Sequence, residues 1–130
     1  MVYAYDAADP EKQARAREVI SAGSWVISTQ VMQEFFVVVS RRFAEPLDPR
    51  EALGALDDLA LGHVVAIDAE PVSAAAESSL RNQLSLWDAM IVQAACRARC
   101  ALVMTEDLNH GRIIDGIVVT NPFVVTPPPR

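Results

Sequence analysis

Residues 85–107 read SLWDAMIVQAACRARCALVMTED, which contains a helix, a strand and an acidic turn in succession. The helical pattern runs from Leu86 to Arg99, and the apolar run Ala101–Met104 has the length of a short buried strand. The turn that follows this strand includes Asp107. A helix that leads into a short buried strand is typical of a parallel sheet covered by helices, so the predicted fold class is α/β.

The rest of the chain repeats this alternation of helices and strands. A chain of 130 residues with 52% apolar content supports one compact domain, which we place at residues 1–125. Residues 126–130 are a proline-rich tail that cannot join a helix or a sheet interior. The other predicted strands are Trp25–Ser28, Val64–Ile67 and Ile117–Thr120, and the other predicted helices are Pro10–Ala22, Thr29–Phe43, Pro49–Leu61 and Pro71–Asn82.

Composition argues against several classes of protein. The apolar stretches are too short to span a bilayer, and the N-terminus has no secretory pattern, so we expect a soluble cytoplasmic protein. Cys96 and Cys100 lack the second pair that a structural zinc site needs and are interpreted as buried apolar residues. The net charge of −6 argues against nucleic-acid binding through a general basic surface.

Local contacts with phosphate remain possible despite this charge, because every basic residue except Lys12 is an arginine. The pairs Arg41-Arg42 and Arg97/Arg99 are therefore candidates for phosphate binding. The equally weighted alternative is that both pairs are solvated at the negative ends of helices.

Three acidic residues stand near the predicted carboxyl ends of strands, where active sites of open parallel sheets form. Asp107 follows a strand directly, with a helix cap or turn as its alternative role. Glu34 lies in an apolar helix, where an ionised carboxylate needs a cation or a polar cleft; the alternative is a narrow exposed face shared with Gln30 and Gln33. Asp88 fits a capping box with Ser85, which spacing alone favours over a metal ligand.

If these carboxylates converge, they repel one another unless divalent cations hold them, and Mg²⁺ or Mn²⁺ is the natural ion for an all-oxygen site. Such a site performs phosphoryl transfer with metal-activated water and no protein nucleophile. The sequence contains no Gly-x-Ser-x-Gly elbow, no glycine-rich phosphate loop and no His-Glu-x-x-His motif for a competing chemistry.

Taken together, these motifs resemble those of PIN-domain toxins, ribonucleases of bacterial type II toxin–antitoxin pairs (VapC-like). The likeness covers nearly the whole chain and rests on residues 28–35, 85–95, 102–111 and 117–123. It implies a three-layer α/β/α domain with a short parallel sheet, an Mg²⁺- or Mn²⁺-dependent endoribonuclease activity, an RNA substrate, a cognate antitoxin and a homodimer. It also implies that Glu34, Asp88 and Asp107 hold the metal and that Thr105 is a supporting hydroxyl. In the hypothesis of a metal-dependent RNA endonuclease, nearby arginines such as Arg41 or Arg112 position phosphate.

The sequence departs from this family in one respect. Family members open with a strand that ends in an aspartate of an Asp-Thr-Asn-like motif, whereas this sequence starts with Val2–Asp6, which matches the segment after it. Asp6 and Asp9 match the polar segment that follows the motif and do not replace the aspartate. A late-assigned start codon, a damaged site and a substitute segment all remain open as interpretations.

This departure sets the expectation for activity. Loss of a central strand exposes two interior sheet edges, which favours aggregation or pairing with a partner. We therefore expect weak activity at best from the 130-residue form and RNA cleavage from a form with the strand. The alternative function is a catalytically impaired PIN-like module that binds protein.

Overall fold

A computed structural model describes Tyr5 and residues 8–124 of the chain. Within these residues, short strands alternate with helices in a three-layer α/β/α arrangement, which confirms the predicted fold class. The helices are α1 (Pro10–Ser21), α2 (Thr29–Val37), α3 (Pro49–Ala60), α4 (Ala69–Asn82) and α5 (Leu86–Arg97), and the strands are β1 (Val26–Ser28), β2 (His63–Val65), β3 (Leu102–Met104), β4 (Ile113–Ile114) and β5 (Ile117–Thr120).

The strands form two small sheets. In the first sheet, β1 pairs in parallel with β2, with Ile27 opposite Val64. In the second, β5 lies between β3, to which it is parallel, and β4, to which it is antiparallel. No pairing joins β1 to β3 within residues 8–124, so each of these strands has one unpaired edge there. Helix α5 contacts both β1 and β3 and so connects the two sheets.

Each sheet packs against its own apolar core. The first core joins β1 to α2 and α3 and is centred on the buried Phe35 and Val39. The second joins α5 to the three-stranded sheet through side chains such as Val92 and Val119. A third, smaller cluster contains Ala75 and Ala89, whose short side chains allow α4 and α5 to pack closely.

The predicted strands and helices are largely confirmed, and most of the boundaries that differ do so by one or two residues. The helix predicted at Thr29–Phe43 leaves the α conformation after Val37 and continues as a π-helical turn over Val38–Arg42. Ser40 lies in this turn and its hydroxyl donates to the Phe36 carbonyl, a back-bond that competes with the α-helical ladder. Helix α4 begins at Ala69, two residues before the prediction, and β2 ends at Val65 rather than Ile67.

The hairpin of β4 and β5 is absent from the sequence-based prediction. Its two-residue turn is Asp115-Gly116, and both residues have positive φ angles, 49° and 82°. These angles belong to a type I′ turn, for which Asp-Gly is a preferred pair. The signal was therefore present in the sequence, but β4 is only two residues long.

Two features named in the sequence analysis lie outside the described residues. The proline-rich tail at residues 126–130 is outside the described range, as is Asp6. Among the described helices, none has the length and apolar character that a membrane crossing requires.

Candidate active site

A groove of about 750 Å³ runs between the two sheets. Its walls are β1 and β3, and side chains of α1, α2 and α5, such as Phe35 and Ala95, also line it. Most of the lining is apolar. Polar and charged side chains gather where β1 and β3 end, so the groove has an acidic end.

The acidic end contains two of the three predicted metal ligands. Glu34 and Asp107 both line the groove, together with Thr105 and Glu106. Glu34 arrives there because α2 starts directly after β1, and Asp107 because the acidic turn directly follows β3. Both acids therefore follow a strand in the chain, and their role as metal ligands stays a prediction.

Glu34 is held by a buried glutamine of its own helix. Gln30 Nε2 donates to Glu34 Oε1 at 3.1 Å and lies 3.5 Å from the carbonyl oxygen of Trp87, at the start of α5. Gln30 is only 6% exposed, so the alternative of an exposed face shared with Gln33 and Glu34 is wrong for Gln30. It is confirmed for Gln33 and Glu34, which are both exposed. Within the described residues, Gln30 Oε1 is a buried side-chain acceptor with no donor.

Asp88 occupies the first turn of α5 and is partly buried. Its amide donates to the Ser85 hydroxyl at 3.1 Å, so the serine half of the predicted capping box forms. The Asp88 carboxylate makes no hydrogen bond or ion pair with the described part of the chain. Asp88 does not line the groove, but it directly follows Trp87, whose carbonyl oxygen lies near the glutamine that holds Glu34.

Asp107 lies in a turn that Thr105 shapes. The Asp107 amide donates to Thr105 Oγ1 at 3.1 Å, and the Asp107 carboxylate has no partner in residues 8–124. Glu106, by contrast, pairs with Lys12 Nζ at 2.9 Å. Adjacent acids in this turn therefore differ: one carboxylate is neutralised by a cation and the next is not.

The three predicted ligands do not form a closed cluster. Among the described residues, no three His, Cys, Asp or Glu side chains are grouped closely enough to hold a metal ion together. Glu34 and Asp107 share the groove, and Gln30 connects Glu34 to the segment that carries Asp88.

The two arginines predicted to position phosphate lie elsewhere. Arg41 is exposed in the π-helical turn, and Arg112 Nη2 donates to the Asn82 carbonyl at 2.6 Å at the end of α4. Neither lines the groove, whereas Arg99, from the candidate pair Arg97/Arg99, does. Phosphate contacts of these arginines stay predictions.

The most extensively bonded carboxylate was not among the predicted residues. Asp115, in the hairpin turn, accepts hydrogen bonds from four side chains on α4 and α5, and its own side chain is 17% exposed. The hydrogen bond from Ser78, followed by that from Arg81, lowers the pKa of Asp115 below its usual value. The four donors are Ser78 Oγ, Arg81 Nη2, Asn82 Nδ2 and Gln93 Nε2.

Both cysteines are free and partly buried against the second core. Burial, and to a lesser extent the nearby Asp115 charge, raises the pKa of Cys96. A raised pKa keeps the thiol protonated and unreactive, in line with the interpretation of these residues as small apolar side chains.

A three-layer α/β/α domain with carboxylates at the strand ends defines a class of small α/β proteins with an acidic site. A family model described as PIN domain matches residues 1–115, so the chain belongs to the PIN domain family. PIN domains are generally metal-dependent nucleases that use divalent ions such as Mg²⁺ or Mn²⁺. A comparison of the sequence with curated proteins gave no significant match.

Proposed function

We propose that this protein is a metal-dependent endoribonuclease and the toxin of a toxin–antitoxin pair. The observation that carries the proposal is that the carboxylates of Glu34 and Asp107 line one groove without a cationic partner among the described residues. Asp88 begins the helix next to them and is equally unpaired. Carboxylates left close together without cations favour the binding of a divalent ion.

The donor set is suited to a hydrated hard cation. Mg²⁺ usually keeps several waters and is bound through one or two carboxylates. Glu34 and Asp107 are therefore sufficient direct donors, and a closed cluster of three protein ligands is not required. Asp88 would then accept from ion-bound waters. The acidic side chains that line the groove, Glu34, Glu106 and Asp107, offer oxygen donors, which fit Mg²⁺ or Mn²⁺ better than ions that favour sulfur or imidazole.

When bound, the divalent ion supplies a water of lowered pKa and neutralises charge at the scissile phosphate. The protein's own residues position the donors. Gln30 orients Glu34 through its amide, and Thr105 fixes the turn that presents Asp107. The amino terminus of α5 adds its partial positive charge beside Asp88, where a phosphate of the RNA is favourably placed.

The partners of the toxin role are an RNA substrate, a cognate antitoxin and a second copy of the chain. The toxin assignment is supported by the motifs at residues 28–35 and 85–111, which resemble those of PIN-domain toxins. The proposed substrate, RNA, is found in the cell interior, so we propose that the protein acts in the cytoplasm.

A second candidate function is a catalytically impaired PIN-like module that binds protein, and the groove favours it. A three-residue strand is about 10 Å long, 4.8 Å wide and 10 Å deep, or roughly 480 Å³, which the groove of about 750 Å³ can contain. The edges of β1 and β3 that have no partner strand within residues 8–124 would pair with a strand placed there.

Metal-dependent cleavage of a structured RNA distinguishes the two functions. Purified protein is incubated with end-labelled RNA and Mg²⁺, Mn²⁺ or EDTA, and Asp88→Asn is compared with Asp57→Asn, a matched change at an exposed acid of α3. The ribonuclease proposal predicts cleavage with either ion, loss in EDTA and in Asp88→Asn, and normal rates in Asp57→Asn. Cleavage that persists in EDTA and in Asp88→Asn does not arise from this site. A folded protein that cleaves nothing under any condition supports the binding module.

A further inference from the structure

Trp87 is unusually exposed for a tryptophan. It is the second residue of α5, and 61% of its surface is accessible to solvent. Tryptophan is highly buried on average because its large ring system gains much free energy from burial. A large aromatic surface left in water at the start of a helix is therefore a candidate contact for a ligand.

The position of Trp87 connects it to the candidate active site. Gln30 Nε2 donates to Glu34 and also lies 3.5 Å from the Trp87 carbonyl oxygen. Asp88 is the next residue along the chain. The backbone of Trp87 thus lies beside Gln30, which holds Glu34, and directly precedes Asp88, although Trp87 does not itself line the groove.

The negative net charge of the protein favours base stacking over phosphate contacts as the way in which it binds RNA. Phosphate contacts by clustered cations normally dominate the affinity of proteins for nucleic acids, but the chain has a net charge of −6. Arg99 is the one described arginine that lines the groove, and it precedes β3, whereas the acidic turn follows β3. Stacking of a base on an aromatic ring does not depend on a positive surface. Unpaired bases can stack in this way, whereas bases inside an RNA duplex are not accessible.

We propose that Trp87 stacks on an unpaired nucleobase of the RNA next to the cleaved bond and so selects single-stranded or looped segments. The proposal rests on the ribonuclease function proposed above. Trp87 acts as a specificity-determining residue: it contacts the base, while the carboxylates act at the phosphodiester.

Tryptophan fluorescence tests the contact without requiring cleavage. Trp25 is the other tryptophan; it lines the groove, and its Nε1 donates to the Ile20 carbonyl. In a Trp25→Phe background, the remaining signal reports on Trp87 alone. The protein is titrated in EDTA with a short single-stranded oligoribonucleotide and with the duplex of the same sequence.

Single-stranded RNA should quench Trp87 fluorescence, and the duplex should quench it much less. In a parallel titration of the otherwise native protein with labelled RNA, Trp87→Ala should weaken binding roughly 5- to 100-fold, the range for loss of one stacked base, and Trp87→Phe should weaken it less. Leu80→Ala is the matched control, since Leu80 is an apolar side chain of α4 that is 84% exposed. This control should bind RNA as the native protein does.

The base contact is overturned if RNA leaves Trp87 fluorescence unchanged, or if Trp87→Ala and Leu80→Ala bind RNA equally well. It is also overturned if sedimentation shows that Trp87→Ala changes self-association while its affinity for RNA is native. The proposed function fails separately. A protein whose Trp87 is quenched by RNA but that never cleaves it refutes the ribonuclease and supports the base contact, whereas metal-dependent cleavage with a native KM in Trp87→Ala refutes only the base contact.

Discussion

Asp115 and Asp107 lie in two turns of the same three-stranded sheet, yet their carboxylates differ in the number of hydrogen-bond donors and in the presence of a neighbouring cation. Asp115 accepts hydrogen bonds from four side chains of α4 and α5, one of them from the cation Arg81. The Asp107 carboxylate has no partner in the described residues, and the same holds for Asp88. The first turn uses a carboxylate to join a hairpin to two helices, whereas the second leaves a carboxylate available to a ligand.

This difference separates two roles that the sequence alone cannot distinguish. A carboxylate with all its acceptor positions filled contributes to stability, because its charge is compensated in the folded state. A carboxylate near other acids and without donors reduces stability through repulsion unless an ion binds. Changes at the two kinds of site should therefore have opposite effects on activity and on stability.

The largest expected effect is on cleavage when the groove acids are neutralised. Partners that only orient metal ligands change affinity or activity roughly 10- to 100-fold, so Glu34→Gln or Asp107→Asn should lower kcat/KM roughly 100-fold or more. Neither change should lower the free energy of unfolding, because a glutamine at position 34 can still accept from Gln30 and the Asp107 carboxylate has no partner in the described residues. Cleavage rates and urea unfolding of the same preparations test both statements. A variant that is inactive because it is unfolded would contradict the distinction drawn between the groove acids and Asp115.

Gln30 is a positioning residue, and its replacement should have the next largest effect. Gln30→Leu keeps the buried position apolar and removes the amide that holds Glu34, so metal affinity and kcat/KM should both fall roughly 10- to 100-fold. The dissociation constant for Mn²⁺ is the decisive readout, since a purely structural role would change stability without changing it. Gln33→Leu, at an exposed position of the same helix, is the control and should leave metal affinity unchanged.

At the other site, Asp115→Asn should destabilise the protein and leave its activity intact. Asparagine tolerates the positive φ of 49° at this position, so the substitution changes charge and hydrogen bonding without new backbone strain. Loss of the charged acceptor should cost about 1–3 kcal/mol of unfolding free energy. Urea unfolding measures this cost, and a native midpoint would show that the four contacts add nothing to stability.

The smallest expected effect is on the stability of the folded protein at acid pH. Because the pKa of Asp115 is lowered in the folded protein, its contribution to stability is present above the unfolded value of 3.8 and is lost as the pH falls through the lower folded value. The native protein should therefore lose more stability than Asp115→Asn when the pH is lowered into this range. Unfolding midpoints for both proteins at neutral and acid pH measure the difference, and parallel curves would contradict it.

The sequence predicted the elements of the fold better than the contacts between them. Strand β5 matches its predicted bounds, and α5 differs only at its end, because apolar periodicity and the Ser85 cap are local signals. The π-helical turn after Val37 depends on a serine back-bond that the apolar pattern conceals.

The sequence indicates which acids to consider for the candidate site but not the contacts around them. Strand ends identify Glu34 and Asp107, because a residue that follows a strand must lie at that edge of the sheet. The alternative interpretation placed Gln30 on an exposed face, and the sequence does not show its burial, because that depends on α5, which is distant in the sequence. The role of Asp115 depends in the same way on donors from two helices that the sequence does not place beside the hairpin.

Direct measurement of Mn²⁺ binding tests the central claim that the groove carboxylates hold a divalent ion. Manganese is titrated into the native protein, into the double variant Glu34→Gln/Asp107→Asn and into Asp115→Asn, and free Mn²⁺ is followed by electron paramagnetic resonance. The account predicts saturable binding to the native protein and to Asp115→Asn, and its loss in the double variant. Equal binding by all three proteins would contradict the account, as would a native protein that binds no manganese.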